Sequence, residues 1–314
     1  MTCNPQALHG SMSPGCATAS RPKTSSVPNT IIVFGETGAG KSSVINMLSL
    51  PSGIVTKSPT LADVSGNAKS HSEINTRYRR QIFDKEVDVF KAVGLGQASG
   101  GTIPHQQAIA EVYQLVRQLE SGIHLLIYVV QGPRITSATR RNYEMFYNIF
   151  CRQSVPIVVV ITHMEDENDP EAWWAANREA FDKEQMFFDA HACITASEGK
   201  GNRLSAEYGR SRVSLCELVA LYSSGHPWIP GDRVSWLEDV SVRLVNWLSS
   251  VTHLKARTIV LEDDILNALL VADPQMDKTE AKKMANRIYR KVHNELKSTA
   301  GQVSLNIRLY KSLT

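Results

Sequence analysis

The sequence lacks the cysteine pattern of a disulfide-bonded or zinc-binding protein. Its 314 residues include 5 cysteines, an odd number with no Cys-x-x-Cys spacing among them. They are Cys3, Cys16, Cys151, Cys193 and Cys216. Such a scattered set predicts free thiols in a reducing compartment.

Long apolar runs and a strong net charge are also missing. The best apolar stretch, residues 259–271, is interrupted by acidic residues and is shorter than the roughly 20 apolar residues that a membrane-spanning helix needs. The formal net charge is +3. The densest basic cluster, Arg77, Arg79 and Arg80, is expected to be a solvated face. We therefore predict a cytoplasmic protein that has no transmembrane segment and does not bind nucleic acid.

The sequence pattern divides the chain into three parts. Residues 1–26 are rich in Ser, Thr and Pro and contain no acidic residue, which predicts a disordered tail, with an organelle-targeting peptide as the alternative. Residues 27–225 alternate strand-like and helical segments. Residues 226–314 show helical patterns at 234–248, 263–271 and 277–296, and we predict a helical C-terminal extension.

The strand-like runs of the central part predict a parallel sheet. The strongest runs are residues 30–34, 123–130, 156–162 and 192–195. Helical patterns occupy residues 43–50, 105–120, 136–150, 170–188 and 213–222. Strands that are apolar along their whole length are buried on both faces, so we predict an α/β fold with three α/β/α layers and a mostly parallel sheet. Ligands of such sheets bind where the strands end.

A glycine-rich loop after the first strand carries the strongest functional signal. Residues 35–42, GETGAGKS, fit the Gly-x-x-x-x-Gly-Lys-Ser/Thr pattern of a phosphate-binding loop. In that pattern Lys41 reaches the β- and γ-phosphates and the Ser42 hydroxyl binds Mg²⁺. We therefore predict a P-loop NTPase fold, with Lys41 catalytic and Ser42 the metal ligand. The predicted phosphate-binding residues are Gly35, Glu36, Thr37, Gly38, Ala39, Gly40, Lys41, Ser42 and Ser43.

Two later loops are candidates for recognising the base. The strand at 156–162 ends in THME, residues 162–165, where guanine-specific proteins have Asn-Lys-x-Asp. We predict that Glu165 accepts hydrogen bonds from guanine, that Thr162 replaces the Asn as a polar support and that His163 flanks the base. The alternative is an ordinary acidic loop, because more acidic residues follow. After the last strand, Ala196 is predicted to offer a backbone N–H to the guanine O6.

These motifs carry a family resemblance. Residues 35–48, GETGAGKSSVINML, together with the Thr-His-x-Glu motif, resemble the immunity-associated and chloroplast-import-receptor GTPases, the AIG1-like and septin-related group. The fungal G-domain proteins of this group are more similar still, on IHLLIYVV at 123–130, RRNY at 140–143 and the Trp173-Trp174 pair. The resemblance covers residues 30–225 and implies binding of GTP or GDP with Mg²⁺ and a homodimer through the G domain. An unidentified protein effector is also expected.

The chain departs from this group at the third motif. The family has Asp-Thr-Ala-Gly-Leu, and this chain has KAVGL at residues 91–95. Lys91 therefore stands where the family's carboxylate holds Mg²⁺ through water, and Asp88 lies too deep on the strand to substitute well. Gly94 is retained and is predicted to contact the γ-phosphate. The alternative role of the Lys91 ammonium is to lie against the γ-phosphate and to replace part of the metal's charge.

The first switch loop has no threonine at the family's position, and the position of the water-orienting residue is apolar. The family's switch threonine aligns near Asn67 and Ala68, so its replacement stays open among several hydroxyl residues. The candidates are Thr56, Thr60, Ser65 and Ser70. Leu95 follows the third-motif glycine as it does in the family, so hydrolysis is expected to depend on a partner or a second protomer.

Three functions remain open. The first is a GTP-binding switch protein with slow or partner-dependent GTP hydrolysis. The second is a catalytically impaired pseudo-GTPase that serves as a nucleotide-binding interaction module, which Lys91 favours. The third, an ATPase or nucleotide kinase, is weakened because no lid arginines or acceptor site are evident.

The remaining residues with reactive side chains are interpreted as structural. No zinc-binding spacing connects the histidines His105, His124, His163 and His191. Cys151 and Cys193 are expected to be buried rather than nucleophilic. Trp173 and Trp174 are expected to pack into the core.

Overall fold

A single sheet of seven strands organises the molecule. The structure is a computed structural model that describes residues 27–51, 62, 76–92, 114–115, 119, 121–132, 137–167, 169–252 and 262–311. The strands are β1 Asn29–Gly35, β2 Leu50–Pro51, β3 Thr76–Phe83, β4 Lys85–Lys91, β5 Leu125–Gln131, β6 Ile157–Thr162 and β7 Ala190–Cys193. Across the sheet their order is β2-β3-β4-β1-β5-β6-β7.

Parallel pairing dominates this sheet. β1 pairs in parallel with β4 and with β5, β5 with β6, and β6 with β7. β3 and β4 form an antiparallel hairpin. β1, β5 and β6 are buried over almost their whole length, as expected for apolar strands covered on both faces. Five strands, β4, β1, β5, β6 and β7, therefore end at the same edge.

Helices cover both faces and give the predicted three layers. They are α1 Lys41–Met47, α2 Ser137–Tyr143, α3 Pro170–Lys183, α4 Ser205–Tyr222, α5 Arg233–Thr252, α6 Glu262–Ala272 and α7 Lys278–Lys311. α1 and α4 share a buried cluster with one face of the sheet. The opposite face packs against α2, α3 and the C-terminal helices. The predicted fold class, α/β/α with a mostly parallel sheet and a helical C-terminal region, is confirmed.

The C-terminal helices belong to the same apolar core as the sheet. Trp236 of α5 stacks edge-on against Phe150, with ring centroids 5.1 Å apart. Arg152 donates a hydrogen bond to Asp239 at 2.8 Å. The division of the chain at residue 225 stays a prediction. Within the described residues, every helix is either too short or too polar to cross a bilayer.

Several helix boundaries differ from the sequence prediction; α7, for example, runs to Lys311 and not only to residue 296. The predicted helix at 136–150 is an α-helix only as far as Tyr143, and Glu144–Phe150 continues as a π-helix. α4 begins at Ser205 rather than at residue 213. The sequence prediction missed its first two turns because they are polar and show no apolar periodicity. The tail at 1–26 lies outside the described residues, and of the predicted helix at 105–120 only residues 114–115, which are helical, and 119 are described. Leu115 and Leu119 are buried, as the predicted apolar face requires.

The basic cluster on β3 is only partly the solvated face that we predicted. Arg80 is 2% exposed, because the period-2 alternation of a strand places it on the covered face with Tyr78. Its Nε donates to the carbonyl of Ile45 in α1 at 3.0 Å. Burial lowers the pKa of this guanidinium. Arg80 therefore ties β3 to the last turn of α1, where helix carbonyls lack partners.

The residues interpreted as structural mostly have structural partners. His124 is buried and accepts a hydrogen bond at Nδ1 from the Thr30 N–H at 3.0 Å. Cys151 is fully buried, and burial raises the pKa of its thiol. Trp174 is only partly buried, and it stacks on His191 with centroids 4.4 Å apart. The expected core position of this tryptophan is therefore only partly right.

Candidate functional site

The candidate site lies along the sheet edge where the parallel strands end. The glycine-rich loop leaves β1 at Gly35 and enters α1 at Lys41. β4, β6 and β7 end at the same edge of the sheet. This places the phosphate loop next to Lys91 on one side and the predicted base-recognition residues on the other. Such an edge is the usual ligand position in open α/β sheets.

The glycine-rich loop closes around the ammonium group of Lys41. Lys41 Nζ donates to the carbonyl of Gly35 at 3.0 Å and to that of Glu36 at 2.7 Å. The Ala39 N–H donates to the Glu36 carbonyl at 3.2 Å, and the Val44 N–H donates to the Gly40 carbonyl at 2.9 Å. The loop is thus a compact turn wrapped over a lysine, with α1 starting directly behind it.

The charge of Lys41 is held in a buried place. Burial, and secondly the nearby Lys91 ammonium, lower the pKa of Lys41 to about 8, against an opposing effect of the Glu36 carboxylate. A buried lysine whose charged form is disfavoured in this way is often found where an anion is bound. The electrostatics therefore suit a ligand with several negative charges.

The start of the loop fits closely against β5. A Cβ atom on Gly35, whose φ is +147°, would lie 2.1 Å from the carbonyl oxygen of Val129. No side chain can occupy that position without moving the sheet. At the outer turn of the loop, Gly38 has a φ of +82° and no atom within 4 Å of an added Cβ. Thr37 and Gly38 are exposed, and Ser42 and Ser43 are half-buried at the start of α1.

Lys91 faces the phosphate loop side of the sheet. It is the last residue of β4, lies opposite Val33 of β1 in parallel register and is 8% exposed. Alternation along β4 puts it on the same face as Val87 and Val89, which share the buried cluster of α1. Lys91, the third-motif residue, and the start of α1 therefore lie on the same face of the sheet.

Asp88 does not replace the missing carboxylate. It alternates onto the opposite face of β4, lies opposite Thr30 in the middle of the sheet and is directly paired with Arg79 in the antiparallel register. Arg79 donates to both of its oxygens, at 2.9 and 3.0 Å. This bidentate pair also raises the pKa of the Arg79 guanidinium. Both carboxylate oxygens are thus committed away from the site.

The side chains at this edge do not fit the magnesium site that the resemblance implies. Ser42 offers a hydroxyl, but an ammonium group stands in the position of the carboxylate. A nearby acid, Glu36, accepts a hydrogen bond at Oε1 from Thr139 at 2.8 Å. Mg²⁺ requires oxygen ligands in near-octahedral geometry. Among the described residues no group of three or more His, Cys, Asp or Glu side chains could hold a metal ion.

The end of β6 is bonded directly to the phosphate loop. The Thr162 hydroxyl is buried and donates to the Ala39 carbonyl at 2.8 Å. His163 Nδ1 lies 3.0 Å from the same hydroxyl oxygen and donates to it in the tautomer that carries the proton on Nδ1. The Thr162 methyl lies 3.2 Å from a Cβ built on Gly40. Thr162 is therefore a support for the loop.

The remaining base-recognition residues lie beyond this support. His163 is exposed, with a φ of +61°. Glu165 is half-buried in the turn that follows β6, and Ala196 is half-buried after β7. β6 and β7 run in parallel, and the Ile194 N–H donates to the Ile161 carbonyl at 2.8 Å. The two loops therefore leave the sheet side by side. The predicted Gly94 and Leu95 and the switch-loop candidates lie outside the described residues.

The structure shows a contact between the phosphate loop and α2 that the sequence does not predict. Thr139 is 1% exposed, bonds to the Glu36 carboxylate through its hydroxyl and accepts a hydrogen bond from the Tyr128 hydroxyl at its carbonyl, at 2.5 Å. Burial, and secondly the Glu36 carboxylate, raise the pKa of Tyr128. A threonine in the first turn of a helix carries no distinctive sequence signal, so only the fold reveals this contact.

Comparison with known proteins gives one family match. Residues 29–178 match the model of the AIG1 family. A comparison of the sequence with curated proteins gives no match.

Several solved structures are similar to part of this chain at low sequence identity. SsGBP in complex with GDP is 17% identical, with a TM-score of 0.37 over 63% of this chain and 52% of that chain. Era in complex with MgGDPNP and a segment of 16S ribosomal RNA is 16% identical, with a TM-score of 0.37 over 69% and 66%. A small COPII coat GTPase of Encephalitozoon cuniculi in complex with GDP is 17% identical, with a TM-score of 0.33 over 62% and 81%. The chain thus spans about half the length of SsGBP.

Proposed function

We propose that the chain binds GTP and GDP at the loop of residues 35–43, a proposal that the match of residues 29–178 to the AIG1 family model supports. We further propose that it hydrolyses GTP slowly, or only together with a partner, and so acts as a switch. The nucleotide phosphates occupy the loop, and the base lies over the loops that follow β6 and β7.

The observation that carries this proposal is the position of Lys41. Its ammonium is held by the carbonyls of Gly35 and Glu36 at the opening of the loop. In that place it can move from two neutral acceptors to the negatively charged oxygens of a β- or γ-phosphate. An ammonium group is held more strongly by a negatively charged phosphate oxygen than by a neutral carbonyl, because the two opposite charges attract each other. The exchange therefore favours binding of a polyphosphate.

The choice of guanine rests on Glu165 and on the loop after β7. A carboxylate in the turn after β6 can accept two hydrogen bonds from the Watson–Crick edge of guanine, whereas adenine offers it no matching pair of donors. Thr162 supports this turn through the Ala39 carbonyl. Ala196 would offer its N–H from the neighbouring loop.

Slow hydrolysis is expected from the residue types of the third motif. Leu95 cannot orient a water molecule, and Lys91 cannot serve as a base when it is protonated. The proposed site therefore positions the nucleotide without activating the attacking water. A partner protein or a second copy of the chain would have to supply that group.

The first experiment measures nucleotide affinity. Fluorescent GTP and GDP are titrated into the full chain and into Lys41→Ala, with unlabelled GTP, GDP and ATP as competitors. We expect guanine-selective binding that Lys41→Ala weakens by about a hundredfold. The matched control is Lys183→Ala, an exposed lysine at the end of α3, which should bind as the wild type does. Equal competition by ATP would instead support the ATPase or kinase alternative.

A second experiment tests base recognition. Glu165→Gln keeps the shape of the side chain but replaces one acceptor oxygen with a donor. We expect GTP affinity to fall about tenfold or more, because a donor then faces the guanine donors. Glu167→Gln changes an exposed acid two positions further along the same turn and should have no effect. Equal behaviour of the two variants would exclude Glu165 as the base ligand.

The second candidate function is a nucleotide-binding module without hydrolysis. Lys91, buried at the position of the family's metal-holding carboxylate, is the observation that favours it. Single-turnover hydrolysis of GTP, measured on the full chain in Mg²⁺, separates the two functions. Release of phosphate faster than from free GTP supports the slow GTPase, and no acceleration supports the binding module.

A further inference from the structure

We propose that Lys91 takes the place of the magnesium ion and that this chain binds its nucleoside triphosphate without a metal. This inference rests on the proposed nucleotide site. It concerns the source of the positive charge beside the β- and γ-phosphates, which in P-loop proteins comes from one lysine together with Mg²⁺. Here two lysines, Lys41 and Lys91, lie on the same side of the sheet.

The first argument is the place of Lys91 in the sheet. It ends β4, directly beside β1, the strand that leads into the phosphate loop. The Ala92 N–H donates to the Val33 carbonyl at 2.9 Å, which holds β4 against β1 up to its last residue. Lys91 shares its face with the cluster under α1. Its side chain therefore belongs to the side of the sheet on which Lys41 and Ser42 begin α1.

The second argument is the burial of two like charges together. Lys91 and Lys41 are each 8% exposed, and they lie on the same side of the sheet, at the end of β4 and at the start of α1. Two ammonium groups close together attract an anion more strongly than a single one does. A triphosphate supplies several negative oxygens, whereas a divalent cation would add two further positive charges to the same place.

The third argument is the absence of a replacement carboxylate among the described residues of this strand and loop. Asp88 is on the opposite face, with both oxygens bonded to Arg79. Glu36 is directed toward Thr139. Mg²⁺ would thus lose a ligand that carries negative charge and gain a neighbour that repels it. An ammonium donates up to three hydrogen bonds and can replace the metal as a partner of the phosphate oxygens.

The test compares nucleotide affinity in excess Mg²⁺ and in EDTA. For the wild-type chain we expect the dissociation constant for fluorescent GTP to differ by less than about threefold between the two conditions, because no metal bridge is lost. A loss of more than about tenfold in EDTA would overturn the inference. This comparison needs no variant, so it decides the question even if a change at Lys91 prevents folding.

Variants then assign the effect to the residue. Lys91→Met keeps the length of the side chain and removes its charge, and we expect GTP affinity in EDTA to fall about ten- to hundredfold. GDP should lose less, because it lacks the γ-phosphate. Lys91→Arg should keep most of the affinity. The matched control is Lys85→Met, at the exposed start of the same strand. Wild-type affinity of Lys91→Met in EDTA would contradict the proposal.

Failure of this inference can be told apart from failure of the proposed function. If GTP binds only in Mg²⁺, the proposed function stands and the metal-free site is wrong. If neither nucleotide binds in either condition, the proposed nucleotide site is itself wrong, and the inference is overturned with it. Thermal unfolding of each nucleotide-free variant shows whether a loss of binding comes from a loss of fold.

Discussion

Thr162 joins the two halves of the proposed nucleotide site. Its hydroxyl donates to the carbonyl of Ala39 in the phosphate loop, and the next residues form the turn that carries Glu165. The hydroxyl is fully buried, so water cannot replace the bond if it is lost. A small side chain at the end of β6 therefore sets the position of the loop relative to the predicted base-recognition turn.

We expect Thr162→Val to weaken both stability and binding. Valine keeps the shape and removes the donor, which leaves the Ala39 carbonyl without its bond and costs about 1 to 3 kcal/mol. Urea unfolding and GTP titration measure the two effects. Thr162→Ser keeps the hydroxyl and should retain most of the affinity. Unchanged affinity in Thr162→Val would show that the loop is held without this bond.

His124 makes the stability of the chain depend on pH. Its Nδ1 accepts the Thr30 N–H, which only the form unprotonated at that nitrogen can do, and burial lowers its pKa below the ordinary value. Below a pH of about 6.5 the unfolded state binds more protons at this residue than the folded state does. Its contribution to stability is therefore complete above that pH and is lost as the pH falls.

The expected result is a difference between the wild type and His124→Asn. Asparagine can accept the same N–H and does not titrate, so unfolding by urea should lose less stability between pH 7.5 and pH 5 in the variant than in the wild type. The pH values are chosen to bracket about 6.5, the ordinary pKa of histidine. If the two proteins lose the same amount of stability between the two pH values, His124 is not the source of the pH dependence.

At the scale of elements, the turn from β1 into α1 is held from three sides. β5 leaves no space for a side chain on Gly35, Thr162 bonds the middle of the loop, and Arg80 bonds the last turn of α1. α1 has only seven residues, and so short a helix is not stable by itself. Its position therefore depends on these contacts with neighbouring elements.

The two glycines of this turn should respond differently to alanine. Gly35→Ala places a Cβ against the Val129 carbonyl, and we expect it to cost at least about 3 kcal/mol because backbone must move. Gly38→Ala meets no atom and pays only for its left-handed conformation, about 1 to 2 kcal/mol. Chemical denaturation of both variants checks the order. Equal losses of stability in the two variants would mean that the backbone of β5 moves away from an added Cβ at little cost.

At the scale of the whole molecule, one apolar cluster includes both the sheet and the C-terminal helices. It contains Phe34 and Tyr128 of the sheet, Phe150 at the end of the π-helix, Trp236 of α5 and Ile288 of α7. The Ile123 and Trp228 backbones also form an antiparallel bridge. A core that crosses the predicted domain boundary couples the two parts in unfolding.

We expect the chain to unfold in a single thermal transition that GDP shifts to a higher temperature. GDP at about 100 times its dissociation constant would stabilise the folded state by about 2.7 kcal/mol. Trp236→Ala should lower the temperature of the same transition, because loss of a buried tryptophan costs about 3 to 5 kcal/mol. Calorimetry checks both. Two transitions, with only one sensitive to GDP, would show that the parts fold independently.

The sequence predicts most of the sheet because its strands are short, apolar and separated by turn residues. Residues 30–34 and 156–162 correspond closely to β1 and β6. The helix boundaries are harder, since the polar first turns of α4 carry no apolar period. The π-helix after Tyr143 depends on how its aromatic residues pack against Phe34 and Trp236, which no local pattern encodes.

The sequence by itself determined the phosphate loop, the fold class and the presence of a lysine in the third motif, because each of these depends on residue type and spacing along one segment. The tertiary structure decided on which face of the sheet each charged side chain lies. Strand pairing and alternation place Asp88 on Arg79 and Lys91 on the face of α1, and bring Thr162 to Ala39 across the sheet edge. These contacts join residues far apart in the chain, and only the folded sheet brings them together.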